Sequence, residues 1–225
     1  MSVTLEVDPG RPDEVAEAIR AVSEAVNAGD LVVFPTDTVY GIGCRAYDPQ
    51  ATNRLFEAKR RPFGLNLPVL APSAAEALDL VVPDDAATRL AGAFWPGPLT
   101  MVLRRGDRSK NWALGEATQT IGIRVPDHAL SLALLERAGS LAATSANISG
   151  GPPLHDEVAL QEAFGDVVAV YIVVRPAAPP SGQSSTVVDL TGPELRILRE
   201  GPIDEARLAA IRQARGARAA RRRRT

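Results

Sequence analysis

Six short clusters of hydroxyl, amide and cationic side chains stand at the predicted ends of strands and helices. They are Thr36 to Thr38, Lys59 to Arg61, Thr120 with Arg124, Thr144 to Asn147, Ser184 to Thr186, and Arg199. Cations that converge with hydroxyl donors suit polyphosphate reactions, in which catalysis consists mainly of positioning reactants and neutralising developing charge. The residue types therefore indicate a nucleotide-dependent transfer, and composition and spacing carry the prediction no further.

Several common kinds of catalytic site are absent from the sequence. It contains no G-x-x-x-x-G-K-[ST] phosphate loop, no G-x-G-x-x-G turn after a strand and no H-x-x-x-H pair for a metal ion. Ser145 does not lie in a G-x-S-x-G nucleophile elbow. His128 and His155 stand near predicted helix starts, and we expect solvated positions for them rather than catalysis. No metal site built from protein side chains is predicted.

The stretch from Leu31 to Cys44, LVVFPTDTVYGIGC, organises the rest of the chain. Its first four residues form a short apolar run, typical of a strand buried on both faces. Pro35 ends this strand because it lacks a backbone donor, and the Thr36 to Thr38 cluster follows, where ligands bind in open α/β sheets. Gly41 and Gly43 allow close backbone approach or a positive φ. Since these are also ordinary turn residues, the stretch alone does not distinguish a binding loop from a turn.

The basic cluster from Lys59 to Arg61 is predicted on the last turn of a helix. That helix begins near Asp48 and must end before Pro62, which disfavours its continuation. Cations at this position complement the helix dipole. Three bases followed by a loop at Gly64 are equally typical of an anion-binding site. Stabilisation of the helix dipole and anion binding therefore both stay open here.

Apolar runs alternate with helical patterns along most of the chain. Residues Pro12 to Ala28 have helical spacing, and Val167 to Val174 is the clearest strand. Residues 105 to 118 are predicted to form a surface loop, and residues 175 to 183 a flap stiffened by three prolines. We predict a single α/β domain over residues 1–211, with a twisted mixed sheet flanked by helices.

Composition places the chain among water-soluble globular proteins, with 45% hydrophobic and 23% charged residues in 225. No stretch approaches the roughly 20 apolar residues that span a bilayer, and the first 20 residues carry acids at positions that include Asp8, Asp13, Glu14 and Glu17. We therefore expect a cytoplasmic protein without a membrane segment. The single Cys44 excludes an intramolecular disulfide, and we expect it to be a small buried residue.

An Arg-rich C-terminal tail, residues 212–225, differs from the rest of the chain. It holds seven of the 25 basic residues and no acid. The rest of the chain has 18 bases and 27 acids, so its net charge is −9. Such a tail can contact RNA through phosphates, or it can be a solvated, disordered terminus.

In this order, the clusters resemble the YrdC-like family of threonylcarbamoyl-AMP synthases. The pairing of PTDTVYG with TSAN is highly specific, and the similarity extends over residues 15–203. It is carried by PTDTVYGIG at 35–43, K-x-R at 59–61, FWPGPLT at 94–100, IGIRVPDH at 121–128, ATSANISG at 143–150, STVVDL at 185–190 and ILREG at 197–201.

The resemblance implies a nucleotidyltransferase that makes threonylcarbamoyl-AMP and pyrophosphate from L-threonine, bicarbonate and ATP. Mg²⁺ is implied with ATP, held largely by phosphate oxygens and water. Downstream proteins that form threonylcarbamoyladenosine in tRNA are the implied partners. The amine of threonine captures CO₂ as a carbamate, whose oxygen attacks the α-phosphate. Neither step needs a covalent enzyme intermediate, which agrees with the lack of an evident nucleophile.

The resemblance also implies roles for individual residues, carried over by position. Lys59 and Arg61 are the implied catalytic residues, in contact with the phosphates. The implied threonine pocket consists of Thr38, Arg124, Ala143 and Ser185, with Arg124 pairing the amino acid carboxylate. The implied ATP side consists of Lys59, Arg61, Thr120, Ser145, Asn147 and Arg199.

Two departures from the family pattern leave alternative functions open. Many members read N-P-L-I-V-H after the K-x-R, whereas residues 66–71 here read N-L-P-V-L-A and lack the usual His. The chain also matches the short form of the family, without the extra C-terminal domain of longer members. The alternatives are a diverged member that adenylates a different carbamate or acyl acid, and an RNA-binding protein. The acidic body disfavours a general RNA surface.

Overall fold

The described residues, 2–176 and 182–213 of a computed structural model, form ten strands and seven helices. The strands are β1 Val3–Val7, β2 Leu31–Phe34, β3 Gly41–Arg45, β4 Val69–Leu70, β5 Leu99–Arg104, β6 Thr120–Arg124, β7 Leu141–Ser145, β8 Val168–Val174, β9 Thr186–Asp189 and β10 Arg196–Arg199. The helices are α1 Pro12–Asn27, α2 Pro49–Ala58, α3 Ala74–Asp79, α4 Asp85–Phe94, α5 Ala129–Ala138, α6 Glu157–Phe164 and α7 Glu205–Gln213.

The strands join in one mixed sheet in the order β1-β8-β2-β3-β7-β4-β6-β5-β9-β10. The sheet contains parallel pairs, such as β2 with β8 and β5 with β9, and antiparallel pairs, such as β2 with β3 and β5 with β6. Helices cover the sheet, as the alternation of helical and apolar patterns predicts. The prediction of an α/β domain with a mixed sheet is confirmed.

Strand β2 lies inside the sheet and is buried on both faces, as predicted. Its side chains alternate between two hydrophobic clusters. Val32 and Phe34 belong to the cluster that contains residues of α1 and α5, and Leu31 and Val33 belong to the cluster that contains residues of α2 and α6. All four residues are at most 1% exposed. This burial fixes the position from which the loop at residues 35–40 leaves the sheet.

Two strands of the sheet were not predicted. Strand β1 is short and only partly buried, so its apolar pattern is weak. Strand β3 begins at Gly41, which the sequence places in a loop, and it pairs antiparallel with β2. Neither Gly41 nor Gly43 has a positive φ. The polar residues at 36–38 therefore lie in the connection between two adjacent strands.

Gly43 is needed because β3 approaches β7 closely. A Cβ atom at this position would lie 2.9 Å from the Ala142 carbonyl oxygen and 3.0 Å from the Ala143 Cβ. We expect Gly43→Ala to lower the free energy of unfolding by about 1–3 kcal/mol, the usual cost of overpacking, as measured by urea denaturation. Gly92→Ala on α4 is the control, since a Cβ there meets nothing within 4 Å. Equal stability of Gly43→Ala and the wild type would contradict the prediction.

The basic cluster follows helix α2 instead of lying on its last turn, so that prediction is wrong. The helix ends at Ala58 and Arg60 takes a left-handed φ of 50°. The Arg61 amide donates to the Phe56 carbonyl at 2.9 Å and the Arg60 amide to the Glu57 carbonyl at 2.9 Å. These two bonds form a Schellman motif, which closes the helix and turns the chain.

The last helix, α7, extends two residues past the predicted domain boundary at residue 211. Arg212 lies within it, and its guanidinium donates to the Pro193 carbonyl at 2.5 Å. The rest of the Arg-rich tail, residues 214–225, lies outside the described residues. So do residues 177–181 in the predicted flap. Along the described part of the chain, no helix combines the length and apolar character that crossing a membrane requires.

Candidate active site

A cavity of about 410 Å³ gathers residues from several distant parts of the sequence, and its volume is typical of a small-molecule site. Its wall comes from the β2–β3 loop, the loop after α2, strands β5, β6 and β7, the start of β9 and the end of β10. Eight of the ten predicted site residues line it: Thr38, Arg61, Thr120, Arg124, Ala143, Ser145, Ser185 and Arg199. Lys59 and Asn147 lie behind this wall.

Arg124, at the end of β6, is fixed at one end of the cavity. Its guanidinium donates to the Gly97 carbonyl at 3.0 Å, to Thr38 Oγ1 at 2.9 Å and to Asp37 Oδ1 at 2.5 Å. Arg124 is 6% exposed, so the prediction that it needs an anionic partner is confirmed. Burial lowers the pKa of Arg124, and the Asp37 carboxylate opposes that shift. A guanidinium has five N–H donors, so three such bonds leave capacity for a ligand carboxylate.

The loop that carries Thr38 is held in shape by the hydroxyl of Thr36. Thr36 Oγ1 accepts from the amides of Thr38 and Val39, both at 3.2 Å, and donates to the Val39 carbonyl at 2.5 Å. This is local side-chain bonding of the kind that stabilises turns. Because the Thr36 hydrogen is used in the bond to the Val39 carbonyl, the 3.1 Å contact between Thr36 Oγ1 and Thr38 Oγ1 takes the Thr38 hydrogen, and the Thr38 oxygen accepts from Arg124.

Arg61 and Arg199 supply further positive charge to the cavity without a matching acid. Arg61 donates to the carbonyls of Leu65 at 2.7 Å and Asn66 at 3.0 Å, and Arg199 donates to the Ser185 carbonyl at 2.8 Å. No ion pair formed within the described residues includes either side chain. Burial lowers the pKa of both guanidinium groups, and Arg199 lowers the pKa of Arg61 further. Such uncompensated charge favours an anion.

Lys59 supports the cavity wall from behind. Its ammonium donates to the Ser145 carbonyl at 2.6 Å and to the Asn147 carbonyl, while its own carbonyl accepts from the Ser149 amide at 2.9 Å. Asn147 binds within the same loop, donating to the Ile148 carbonyl at 2.7 Å. Both residues therefore hold the loop that presents Ser145 to the cavity. Their contacts with a nucleotide stay predictions.

A family model for Sua5/YciO/YrdC proteins, described as Telomere recombination, matches residues 24–201. The chain belongs to this family. A protein of Mycobacterium tuberculosis (strain CDC 1551 / Oshkosh) is 41% identical over 206 residues, covering 91% of this chain and 93% of the relative. A Pyrococcus abyssi protein named threonylcarbamoyl-AMP synthase is 36% identical over 193 residues, covering 83% of this chain and 55% of the relative.

Among solved structures, P. abyssi Sua5 in complex with L-threonine superposes with a TM-score of 0.78 at 31% identity. The match covers 93% of this chain and 61% of that structure. The family assignment made from the PTDTVYG and TSAN motifs is therefore confirmed.

In this Sua5/YciO/YrdC protein, the segment that departs from the family pattern lines the cavity with apolar side chains. Pro68 and Leu70 contribute to the wall, while Ala71 is fully buried and its amide donates to the Arg124 carbonyl at 2.9 Å. This bond ties Ala71 to the backbone of Arg124.

Sequence reasoning did not assign functional roles to two polar side chains of the site, Asp37 and Thr100. Asp37 pairs with Arg124, and Thr100 lines the cavity next to Ser185. Both lie inside the motifs that carry the family resemblance, PTDTVYG and FWPGPLT. The position of Asp37 and Thr100 inside these motifs therefore marks them in the sequence. The contacts that give them a role form only in the folded sheet.

The histidines and the cysteine do not line the cavity. His155 is exposed as predicted, whereas His128 is half-buried because its Nδ1 caps helix α5 by accepting from the Ser131 amide at 3.3 Å. Burial lowers the pKa of His128. Cys44 is fully buried, as expected, and burial raises the pKa of its thiol to about 12.

The buried ammonium of Lys59 predicts a specific pH dependence of stability. Burial and Arg61 lower its pKa from 10.5 to about 7. Between these values the unfolded chain binds more protons than the folded chain, so the free energy of unfolding rises with pH. From pH 7 to pH 9 we expect the wild type to gain about 2 kcal/mol relative to Lys59→Met, as measured by urea denaturation at each pH.

Lys59→Met is the matched comparison because it keeps an unbranched side chain as far as Cε and removes the titrating group. All other titrating groups contribute equally to both proteins, and their effects cancel in the difference. A difference between the two proteins that stays constant from pH 6 to pH 9 would contradict this prediction.

Proposed function

We propose that this protein is a threonylcarbamoyl-AMP synthase, which forms threonylcarbamoyl-AMP and pyrophosphate from L-threonine, bicarbonate and ATP. The observation that carries the proposal is the charge asymmetry of the family cavity. Arg124 is neutralised by Asp37, whereas Arg61 and Arg199 have carbonyl and hydroxyl partners in place of acids. One small site thus offers a neutralised arginine for an amino acid and two uncompensated arginines for phosphates.

The neutralised Arg124 fits a zwitterionic amino acid. A substrate carboxylate binds the remaining N–H donors of the guanidinium, which gives a charge-assisted contact of fixed geometry. Thr38 and Ser185 supply hydroxyls nearby, and the backbone at Ala143 closes the wall. The apolar side chains of Pro68 and Leu70 lie in the same cavity and suit the carbon atoms of a small amino acid.

The uncompensated pair of Arg61 and Arg199 fits the triphosphate of ATP. Both guanidinium groups are held by carbonyls before a ligand arrives, so they need little reorganisation to stabilise a developing negative charge. Ser145 and Thr120 add hydroxyl groups to this side of the cavity. The described residues contain no cluster of three or more metal-binding side chains, so Mg²⁺ enters as part of the ATP substrate, bound to phosphate oxygens and water.

In the proposed reaction the protein positions two substrates and forms no covalent intermediate. Bicarbonate gives CO₂ and hydroxide, and the amine of threonine adds to that CO₂ and loses a proton to the hydroxide, which gives a carbamate and water. A carbamate oxygen forms a bond to the α-phosphorus as the bond from that phosphorus to the bridging oxygen breaks. Pyrophosphate takes the electron pair and leaves. Arg61 and Arg199 neutralise its charge, and Arg124 holds the amino acid in place.

The product serves as the donor from which downstream proteins make threonylcarbamoyladenosine in tRNA. We test the proposal by measuring pyrophosphate release from ATP and bicarbonate with each of the 20 amino acids, and by mass spectrometry of the products. Release with L-threonine and a product of the mass of threonylcarbamoyl-AMP is expected. Release with a different amino acid would replace the proposal with a diverged adenylating enzyme, and no release with any amino acid would overturn it.

A further inference from the structure

Thr100 and Ser185 form a pair of buried hydroxyls on the floor of the cavity. Their oxygen atoms lie 2.8 Å apart, and the two residues are 6% and 4% exposed. The parallel pairing of β5 with β9, in which Leu99 lies opposite Thr186, brings them together across the sheet. Both residues line the cavity. Because they are 85 positions apart in sequence, only the folded sheet creates this pair.

The hydroxyl groups of Thr100 and Ser185 have only two hydrogen atoms to donate. Arg199 Nη2 donates to Ser185 Oγ at 2.9 Å, so the Ser185 oxygen already acts as an acceptor. The bond between the two hydroxyls uses one of their two hydrogens, because one oxygen must donate and the other accept. The second hydrogen remains for an acceptor in the cavity. Thr100, Ser185 and Arg199 together therefore present one O–H donor in a set direction.

The surroundings of Thr100 hold its side chain in one orientation. Its methyl carbon Cγ2 lies 3.5 Å from where a Cβ of Gly122 would stand. Val187 is its register partner on β9, and Val187, Val102 and Gly122 all line the cavity beside it. A β-branched side chain is stiff at χ1, and the 2.8 Å bond to Ser185 Oγ fixes where the Thr100 hydroxyl lies.

We propose that Thr100 is a positioning residue for the amino-acid substrate. Its hydroxyl orients the Ser185 hydroxyl, so the pair donates one hydrogen bond to an acceptor oxygen of the amino acid while Arg199 faces the phosphates. This inference rests on the proposed function, since it assigns L-threonine to this part of the cavity. It adds to the site a residue that acts through Ser185.

The test compares Thr100→Val, which keeps the shape and removes the hydroxyl, with Thr100→Ser, which keeps the hydroxyl. Calorimetry measures the Kd of L-threonine, and steady-state kinetics measure the KM values and kcat. One lost hydrogen bond corresponds to a roughly tenfold weaker affinity. We expect Thr100→Val to raise the Kd and KM of L-threonine about tenfold, with a smaller change in the KM of ATP. Thr100→Ser should stay within about threefold of the wild type.

Thr52→Val is the matched control, because it removes a buried hydroxyl that bonds to the Pro49 carbonyl on α2, away from the cavity. We expect it to leave the affinity for L-threonine unchanged. Wild-type affinity in Thr100→Val, or equally weak binding by Thr100→Ser, would overturn the proposal.

A double-mutant cycle with Ser185→Ala provides a second measurement if Thr100→Val is unstable. The Thr100→Ala and Ser185→Ala double variant, which lacks both hydroxyls, should bind L-threonine no more weakly than Ser185→Ala alone, since Thr100 acts through Ser185. A double variant whose loss of affinity for L-threonine equals the product of the two single losses would contradict the proposal. Failure of the proposed function is distinguishable from either result, because the wild type itself would then not bind L-threonine.

Discussion

Replacing Arg124 with Gln is expected to lower the free energy of unfolding by about 3–5 kcal/mol and to remove measurable binding of L-threonine. Arg124 forms an almost fully buried ion pair, with the side chains of Arg124 and Asp37 7% and 13% exposed. Removal of the cation leaves the Asp37 carboxylate without its partner, and an uncompensated buried charge is far more costly than the loss of the pair as a whole. The same change removes the donor that pairs the substrate carboxylate.

Urea denaturation and calorimetry separate these two effects when Arg124→Gln is compared with the double variant Asp37→Asn, Arg124→Gln. The double variant removes both charges, so most of the lost stability should return while L-threonine binding stays absent. Arg108→Gln is the control, because Arg108 forms an ion pair with Asp79 in which both side chains are about 60% exposed. Exposed pairs contribute little. Equal instability of the single and double variants would contradict the assignment of the loss to Asp37.

The ion pair also illustrates what sequence reasoning predicted and what it could not. An arginine at the end of a buried strand must have an anionic partner, and this argument requires no knowledge of the fold. The identity of the partner depends on how the 35–40 loop crosses the end of β6. Asp37 and Arg124 are 87 positions apart, so no local pattern connects them.

Lys59 makes contacts that sequence reasoning did not predict. Its position in a K-x-R motif indicates a cation for phosphates, which stays a prediction, and in the structure its ammonium donates to two carbonyls of the 145–149 loop. Helix α2 ends at Ala58, before the left-handed residue Arg60, although the helical pattern extends it to Arg61. Of the two cations in the motif, Arg61 lines the cavity. Periodicity predicted the helix, but it did not predict the geometry of its end.

We expect Arg61→Ala to reduce kcat/KM for ATP by about 10² to 10³. Arg61 lines the cavity and is held by the carbonyls of Leu65 and Asn66, so its charge is in position before the triphosphate arrives. Preorganised groups of this kind act most strongly where negative charge develops, here on the departing pyrophosphate. Steady-state kinetics at saturating L-threonine and inhibition by pyrophosphate measure the effect, and the inhibition constant of pyrophosphate should rise with it.

Arg89→Ala is the control for Arg61→Ala, because Arg89 also donates to a backbone carbonyl, that of Arg212, outside the cavity. It should leave kcat/KM for ATP unchanged. Arg61 lies close enough to Arg199 for each positive charge to oppose the other. Its removal relieves repulsion, so stability should change much less than in Arg124→Gln. A large loss of stability with unchanged kinetics would mean that Arg61 only supports the loop it binds. A large fall in kcat/KM for ATP with unchanged stability would show that Arg61 acts on the phosphate groups.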